Sequence, residues 1–168
     1  MSNALSLPSG STAAAKELRA TMAIIDSVHG DGALPPIPVD IVKGGRALGK
    51  YRLIPMIDKA VDIQIRSKAD GLRMTMAHEV GHFLDHKGWG ATGFSSQFEA
   101  SAQGWRDAVK ASPEVQRLAE LRKAHPGVKW YAYATKTNEL WARSYAQYVA
   151  VRSGDKKMLE ELIKIKTS

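Results

Sequence analysis

The spacing of apolar side chains divides the first part of the chain into one helical and three extended segments. Over residues 13–29, apolar side chains recur three or four positions apart, which predicts an amphipathic helix that ends at Gly30. Residues 38–42, 50–54 and 61–65 are short apolar stretches between turn-forming residues, and the last alternates strictly between apolar and polar side chains. These three segments are predicted to be β-strands.

Helical spacing dominates the rest of the chain. Residues 72–86 predict a helix that Gly88 ends, and a Gly/Ser-rich loop follows over residues 88–96. Ser112 is a favourable N-cap with a proline directly after it, which marks the start of a helix. The remaining predicted segments are helices over residues 97–111 and 113–124, a short extended piece over 130–135, a helix over 138–153 capped by Asn138, and a final helix over 156–166.

These segments together predict an α+β fold, in which a small mixed sheet packs against the helix at 72–86 and the later helices. The chain has 168 residues, of which 44% are hydrophobic, and this is enough for one domain with a buried core. Residues 1–12 are rich in Ser, Gly and Pro and are expected to form a flexible tail before a single domain over 13–168. The strand at 61–65 is expected to lie at a sheet edge, where an extended peptide could pair with it.

Composition narrows the chemistry and the cellular setting. The chain has no cysteine, so a metal ion would have to be held by His, Asp or Glu. No apolar run reaches the roughly 18 residues that a spanning helix needs, and the first ten residues lack the features of a signal peptide. We therefore expect a monomeric cytoplasmic protein without a membrane anchor, with delivery by a dedicated secretion or phage route as the alternative.

Positive charge is concentrated before the second predicted helix. The net charge is +7, and from Lys43 to Arg73 eight basic residues face only three acidic ones. Such a stretch could bind nucleic acid, but it lacks the aromatic residues and the fold signature of a nucleic-acid module. A solvated basic surface is the favoured interpretation.

The candidate chemistry lies in the segment His78-Glu79-Val80-Gly81-His82. In a helix, positions i and i+4 differ by about 40° in direction and about 6 Å in rise, so His78 and His82 can aim their rings at one zinc ion. Glu79 lies about 60° around the helix from His82, where a general base would flank the ion without binding it. Gly81 faces away and leaves room for a close neighbour.

Three residues compete to be the third ligand. His86 continues the i+4 series, but it lies about 12 Å along the helix axis from His78 and is better explained as a cation in the last helical turn. Glu99 follows a flexible stretch. Glu139 is favoured because it begins a predicted helix with a narrow, small-residue face, which lets this helix pack closely on the helix of His78 and His82. Three alanines form that face: Ala142, Ala146 and Ala150.

Two segments resemble one known family. Residues 78–85, with the sequence HEVGHFLD, resemble the active-site helix of the anthrax lethal-factor-like metallopeptidases, which are gluzincins found also as toxin-type and phage-associated domains. Residues 139–145 resemble the second zinc helix of that family, and the likeness extends over roughly residues 60–153. The resemblance implies a zincin-like fold, Zn²⁺ as the cofactor, His78, His82 and Glu139 as its ligands, and Glu79 as the general base.

The resemblance also implies a tyrosine shortly before the second zinc helix that stabilises the oxyanion. Tyr131 and Tyr133 bracket the expected position, and Tyr133 is favoured. Asp85 matches an acidic residue of the family helix and could orient a ligand histidine, while Arg143 lies one turn after Glu139 and could support it.

The function expected from these residues is peptide-bond hydrolysis by a zinc-dependent metalloendopeptidase, with a peptide or protein as the substrate. The alternative is a zincin-like sensor or accessory module that binds nucleic acid or a protein partner with little or no turnover. The substrate itself is not indicated by any motif.

Overall fold

Four strands form one mixed sheet in the computed structural model, which describes residues 1–30 and 32–167. The order across the sheet is β1-β2-β4-β3, with β1, β2 and β4 parallel and β3 antiparallel to β4. The three predicted strands are confirmed, and so is the α+β class with a small mixed sheet. The strands are β1 (Leu5–Ser6), β2 (Ile37–Val42), β3 (Gly49–Ile54) and β4 (Lys59–Arg66).

The expected edge position of the strand at 61–65 is wrong. This segment lies in β4, which is hydrogen-bonded to β2 on one side and to β3 on the other, and Ile63 and Ile65 are fully buried. Its strict alternation shows that one face is buried, but alternation carries no information about which strands stand beside it. The free edge next to β4 belongs to β3.

Seven helices cover most of the remaining described chain. The segment at 97–102 forms 3₁₀ turns at Ser95–Gln97 and Ala100–Ala102, so the expected helix at 97–111 starts late. Asn138 lies inside the first turn of its helix, and Lys136 takes the cap position. The helices are α1 (Ala13–Val28), α2 (Leu72–Lys87), α3 (Gln103–Ala111), α4 (Pro113–Ala124), α5 (Lys129–Ala134), α6 (Thr137–Ser153) and α7 (Lys156–Thr167). Within the described residues, none of them is long and apolar enough to cross a membrane.

The first residues are placed differently from the flexible tail that composition suggested. Met1, Ala4 and Leu5 are buried in the core, and the Ile37 backbone N–H donates to the Ala4 carbonyl at 2.9 Å. The apolar side chains at these positions outweigh the Ser, Gly and Pro that surround them, because burial removes their surface from water. The segment therefore completes the edge of the sheet beside β2.

Helix α2 lies at the centre of the fold and packs most closely against α6. A side chain at Gly81 would place its Cβ only 2.9 Å from the Ala142 Cα and 3.2 Å from its carbonyl oxygen. Ala142, Ala146 and Ala150 are all buried, as expected for the small-residue face of α6. The close packing predicted for these two helices is confirmed.

The amino end of α2 is capped by another helix. Gly71 at the cap position offers no side chain, and the buried Glu161 of α7 accepts a hydrogen bond from the Met74 backbone N–H at 2.9 Å. Arg73 in the same turn binds both Glu17 of α1 and Asp155 before α7. Because these contacts join three helices at one point, the start of α2 is held firmly against the rest of the domain.

Gly81→Ala tests the helix contact. We expect it to lower the free energy of unfolding by about 1–3 kcal/mol, because the added methyl group overpacks the α2–α6 interface. The control is Gly104→Ala in α3, where a Cβ meets nothing within 4 Å. That change should be neutral or stabilise by up to about 1 kcal/mol through helix propensity. Equal stabilities of the two variants in urea denaturation would contradict the close contact.

Candidate metal centre and active site

Two histidines of α2 and one glutamate of α6 meet at a single point. The possible ligand atoms of His78, His82 and Glu139 all lie within 4.8 Å of one another. One Glu139 carboxylate oxygen, Oε2, is 3.4 Å from Nε2 of His78, and the other, Oε1, is 3.4 Å from Nε2 of His82. Of the three candidates for a third ligand, Glu139 is the one that the fold brings to the histidines.

The two distances from Glu139 to the histidines, each to a different carboxylate oxygen, match the spacing of ligand atoms around a tetrahedral metal ion. With metal–ligand bonds of about 2.0–2.1 Å, two neighbouring ligand atoms of a tetrahedron lie about 3.3–3.4 Å apart. The observed 3.4 Å is longer than a good hydrogen bond between charged groups. In addition, the buried Oε2 of Glu139 has no hydrogen-bond partner in the described chain, and such a group normally has one. A cation between the three side chains would satisfy it.

The Glu139 carboxylate is held in its ionised form. Burial alone would raise its pKa, but the nearby side chains of His78, His82 and Tyr133 outweigh burial and hold the pKa well below the usual range. A deprotonated carboxylate is the form that binds a metal ion. The site is therefore ready to bind a cation at neutral pH.

Glu79 lies between the metal-binding group and the free edge of the sheet. Its carboxylate accepts a hydrogen bond from the Tyr51 backbone N–H at 2.7 Å, and a Cβ at Gly49 would stand 2.7 Å from its Oε1. The β3 backbone thus approaches Glu79 as closely as a residue without a side chain permits. Burial raises the pKa of Glu79, which makes it a stronger base than an exposed carboxylate.

The two candidate tyrosines point in different directions because residues 130–135 are helical and not extended. In α5, positions two apart differ by about 200°, so one tyrosine at most can face the site. The Tyr133 hydroxyl lies near Glu139, and partial burial together with this negative charge raises the pKa of Tyr133. Tyr131 instead packs its ring against those of His125 and Trp130. The structure brings Tyr133 to the site.

Arg143 connects the two helices that carry Glu139 and Tyr133. Its Nη1 donates to the Ala134 carbonyl at the end of α5, at 3.0 Å, and its side chain lines the cleft beside His78. The positive charge of Arg143 opposes the rise in the pKa of Tyr133. Arg143 therefore supports the position of the tyrosine more directly than that of its own helix neighbour Glu139.

His86 is not the last-turn cation that its position in the helix suggested. It is buried, its Nε2 lies 2.8 Å from Oδ1 of Asp58, and its Nδ1 is hydrogen-bonded to the Tyr51 hydroxyl. Because a carboxylate can only accept, Nε2 carries the proton and Nδ1 accepts from the Tyr51 O–H. Burial lowers the pKa of His86, which keeps the ring neutral. His86 thus joins the end of α2 to the middle of β3.

Asp58 gathers the surrounding segments into the same network. It adopts a left-handed backbone conformation after the 3₁₀ turn Pro55–Ile57 and binds His86, Lys87 and the Gly93 backbone N–H. Hydrogen bonds from Lys87, Gly93 and His86 hold the pKa of Asp58 far below its usual range. The edge strand, the end of α2 and the following loop are therefore fastened together.

The remaining predicted site residues have other contacts. Asp85 is fully buried and accepts from both the backbone N–H and the hydroxyl of Ser96, each at 2.6 Å, while Nδ1 of His82 has no partner among the described residues. Glu99 lies outside the group of possible ligands and caps a 3₁₀ turn. The expected role of Asp85 in orienting a histidine is thus replaced by anchoring the loop at Ser96.

The loop aromatics pack inward and leave the cleft to other residues. Phe94 contacts the rings of His82 and His86, and Trp89 packs on Trp141. Phe94 therefore forms a wall behind a possible metal ligand. It limits the movement of the His82 ring without facing the open side of the site.

A cleft of about 670 Å³ opens directly beside His78 and Glu79. Segments from β3, α5, α6 and α7 surround it. This volume is in the range of small-molecule and peptide pockets.

Gly49 and Tyr51 were not identified from the sequence as site residues. The glycine carries a signal in principle, since a glycine inside a strand often marks the close approach of another group. The role of Tyr51 has no such signal, because its backbone N–H and not its side chain touches Glu79. Which backbone faces a carboxylate is decided only when strand and helix pack together.

Comparison of the chain with protein-family models, with curated proteins and with solved structures finds no match in any of the three.

His86→Gln tests the buried histidine through pH. The folded pKa of His86 lies below its unfolded value near 6.5, so the unfolded chain takes up the extra proton first and stability is lost as pH falls below about 6.5. The variant has no histidine at this position, so its stability does not fall with pH for this reason. We expect it to be less stable by about 1–3 kcal/mol at pH 7.5, with a smaller difference at pH 5.5. Urea denaturation at both pH values measures this.

His125→Gln is the matched control, because His125 is exposed at the end of α4. If the loss of unfolding free energy caused by His86→Gln is larger at pH 5.5 than at pH 7.5, the conclusion that His86 is buried and neutral is wrong.

Proposed function

We propose that this protein is a zinc-dependent peptidase of the gluzincin type with a zincin-like fold. The observation that carries the proposal is the meeting of His78, His82 and Glu139 at one point, with Glu79 directly beside them. This combination of two histidines, a carboxylate and an adjacent free carboxylate is the donor set of a catalytic zinc site that leaves a coordination position open. A purely structural zinc site would have a fourth protein ligand.

His78, His82 and Glu139 would hold the ion, and a bound zinc would supply Lewis acidity that polarises a carbonyl group and acidifies a water molecule. Glu79 would accept the proton of the attacking water and pass it to the leaving amine. Its pKa, raised by burial, suits both steps, because the group must bind and then release the proton. The Tyr51 backbone N–H keeps the Glu79 carboxylate in place.

Tyr133 is the group proposed to stabilise the negative charge that develops on the carbonyl oxygen. Burial and Glu139 raise its pKa, so its hydroxyl keeps its proton at neutral pH and can donate a hydrogen bond. Its position on the short helix α5 is braced by Arg143 through the Ala134 carbonyl.

The free edge of β3 is proposed to hold the substrate backbone. The Leu48 carbonyl accepts from the Arg66 backbone N–H in β4, so the peptide groups of Gly49 and Tyr51 face away from β4. Glu79 takes the Tyr51 N–H, which leaves the Gly49 N–H and the carbonyl groups of Gly49 and Tyr51 to pair with a peptide. An extended peptide could add to this edge as a further strand and pass in front of Glu79. The proposed strand that pairs with a peptide is therefore β3 and not the strand at 61–65.

Zinc binding is the first test. We expect one zinc ion per chain by elemental analysis, and Glu139→Gln should weaken the affinity by more than about a hundredfold, because it removes a charged ligand from the site. Glu99→Gln is the control and should bind zinc like the wild type. A chelator should lower the thermal midpoint of the wild type, since bound zinc stabilises only the folded state. Equal zinc affinity of all three proteins would reject the site.

Peptide cleavage is the second test, measured as new N-termini in a proteome-derived peptide library. Glu79→Gln should retain zinc and lose about 10²–10⁴-fold in rate, because it cannot accept a proton. Tyr133→Phe should lose about 10²–10³-fold, whereas the control Tyr131→Phe should change little. Stoichiometric zinc without cleavage by the wild type would instead favour a binding module.

A further inference from the structure

Four large apolar side chains stand exposed around the mouth of the cleft next to Glu79. Trp130 and Ile165 are 55% and 59% exposed, and Leu48 and Tyr133 are also exposed. They come from three separate parts of the fold: the segment before β3, helix α5 and helix α7. Exposed apolar groups that gather on one rim are typical of a surface that binds an apolar partner group.

The floor of the cleft is also apolar. Met74, Ala146 and Leu162 are buried at its base, and Thr75 stands beside them. Thr75 lies one helical turn before His78 and Glu79. A peptide that passes in front of Glu79 therefore places the next side chain over this floor.

Positive charges outnumber negative ones among the residues that line the cleft. Arg46 and Arg143 line it, and Glu79 at its inner end is the one acidic residue among the lining residues that the structure describes. Arg46 is exposed, and the segment 43–50 that carries it has two further basic residues and no acidic one. Arg143 uses Nη1 for the Ala134 carbonyl, which leaves other N–H groups of its guanidinium for a ligand.

We propose that this cleft selects peptides in which a large apolar side chain stands next to an aspartate or glutamate. The apolar side chain fills the space between Trp130, Ile165 and the floor, and the neighbouring carboxylate faces Arg46 or Arg143. The inference rests on the proposed function, since it assigns the substrate class of the same site.

A peptide fits these observations better than a nucleic acid. Binding of a polynucleotide depends on a series of phosphate contacts along a basic surface. Outside the cleft, Arg52 pairs with Asp62 and Arg73 pairs with Glu17 and Asp155, while Lys43 and Lys50 do not line the cleft. The two arginines that remain at the cleft flank an apolar floor, which suits one apolar side chain with one carboxylate.

The test is peptide binding to the zinc-loaded full chain with Glu79→Gln, which prevents turnover. Three fluorescein-labelled octapeptides are compared by anisotropy: one with Phe between two Asp, one with Phe between two Lys, and one with Ala between two Asp. We expect the Asp–Phe peptide to bind at least about tenfold more tightly than either of the others. The difference in affinity between the Asp–Phe peptide and the Lys–Phe peptide should become smaller as the salt concentration is raised, because salt screens exposed charges.

Charge reversal at the rim provides the matched pair of variants. Arg46→Glu should remove most of the preference for the Asp–Phe peptide over the Lys–Phe peptide, because an attraction becomes a repulsion. Lys16→Glu makes the same change of net charge on the exposed first turn of α1, away from the cleft, and should keep the preference. Equal effects of the two variants would show that only net charge matters and would overturn the proposal.

The outcomes separate this proposal from the proposed function. If the wild type cleaves the peptide library without a preference for apolar residues next to acidic ones, the cleft assignment fails and the peptidase stands. If the Asp–Phe peptide binds selectively but no peptide is cleaved, the cleft assignment stands and the peptidase fails. Competition by a single-stranded oligodeoxynucleotide at the affinity of the Asp–Phe peptide would overturn the selection for peptides.

Discussion

The close contact between α2 and α6 is the constraint on which the site depends. Gly81 lets the backbone of Ala142 approach so closely that no other residue would fit between the helices without a shift. At this separation the Glu139 carboxylate reaches both histidines of α2, at 3.4 Å from each ring. A wider separation would leave three polar side chains facing a gap, where each would lack a partner. The glycine and the alanine thus set the distance between Glu139 and the two histidines.

The second constraint is the position of β3 against the same helix. Gly49 and the Tyr51 backbone hold Glu79 from one side, and the Tyr51 side chain reaches His86 one helical turn beyond His82. Strand and helix are thereby fastened at two points along their length. Asp58 extends this network to the loop that ends in Phe94, whose ring backs His82. Glu79, the end of α2 and the edge strand β3 are therefore held by one network of polar contacts, which is effective only if every member is paired.

Sequence patterns predicted the elements well where local spacing carried the information. The helices at α1, α2, α4, α6 and α7 and the strands β2 to β4 were all expected from periodicity. Local patterns failed at residues 130–135, where aromatic residues suggested an extended piece and the chain forms a short helix. The first six residues also differ from the predicted tail, because Met1, Ala4 and Leu5 are buried and Leu5 and Ser6 pair with β2. In both places tertiary contacts outweigh local preference.

The sequence by itself determined the pair His78 and His82, the adjacent Glu79 and the small face of α6, because each of these is a relation within one helix. Only the tertiary structure decided that Glu139 and neither His86 nor Glu99 joins the pair, that Tyr133 faces the site, and that β3 is the free edge beside Glu79. These are relations between segments far apart in the chain. They follow from which surfaces pack together, and no local periodicity records that choice.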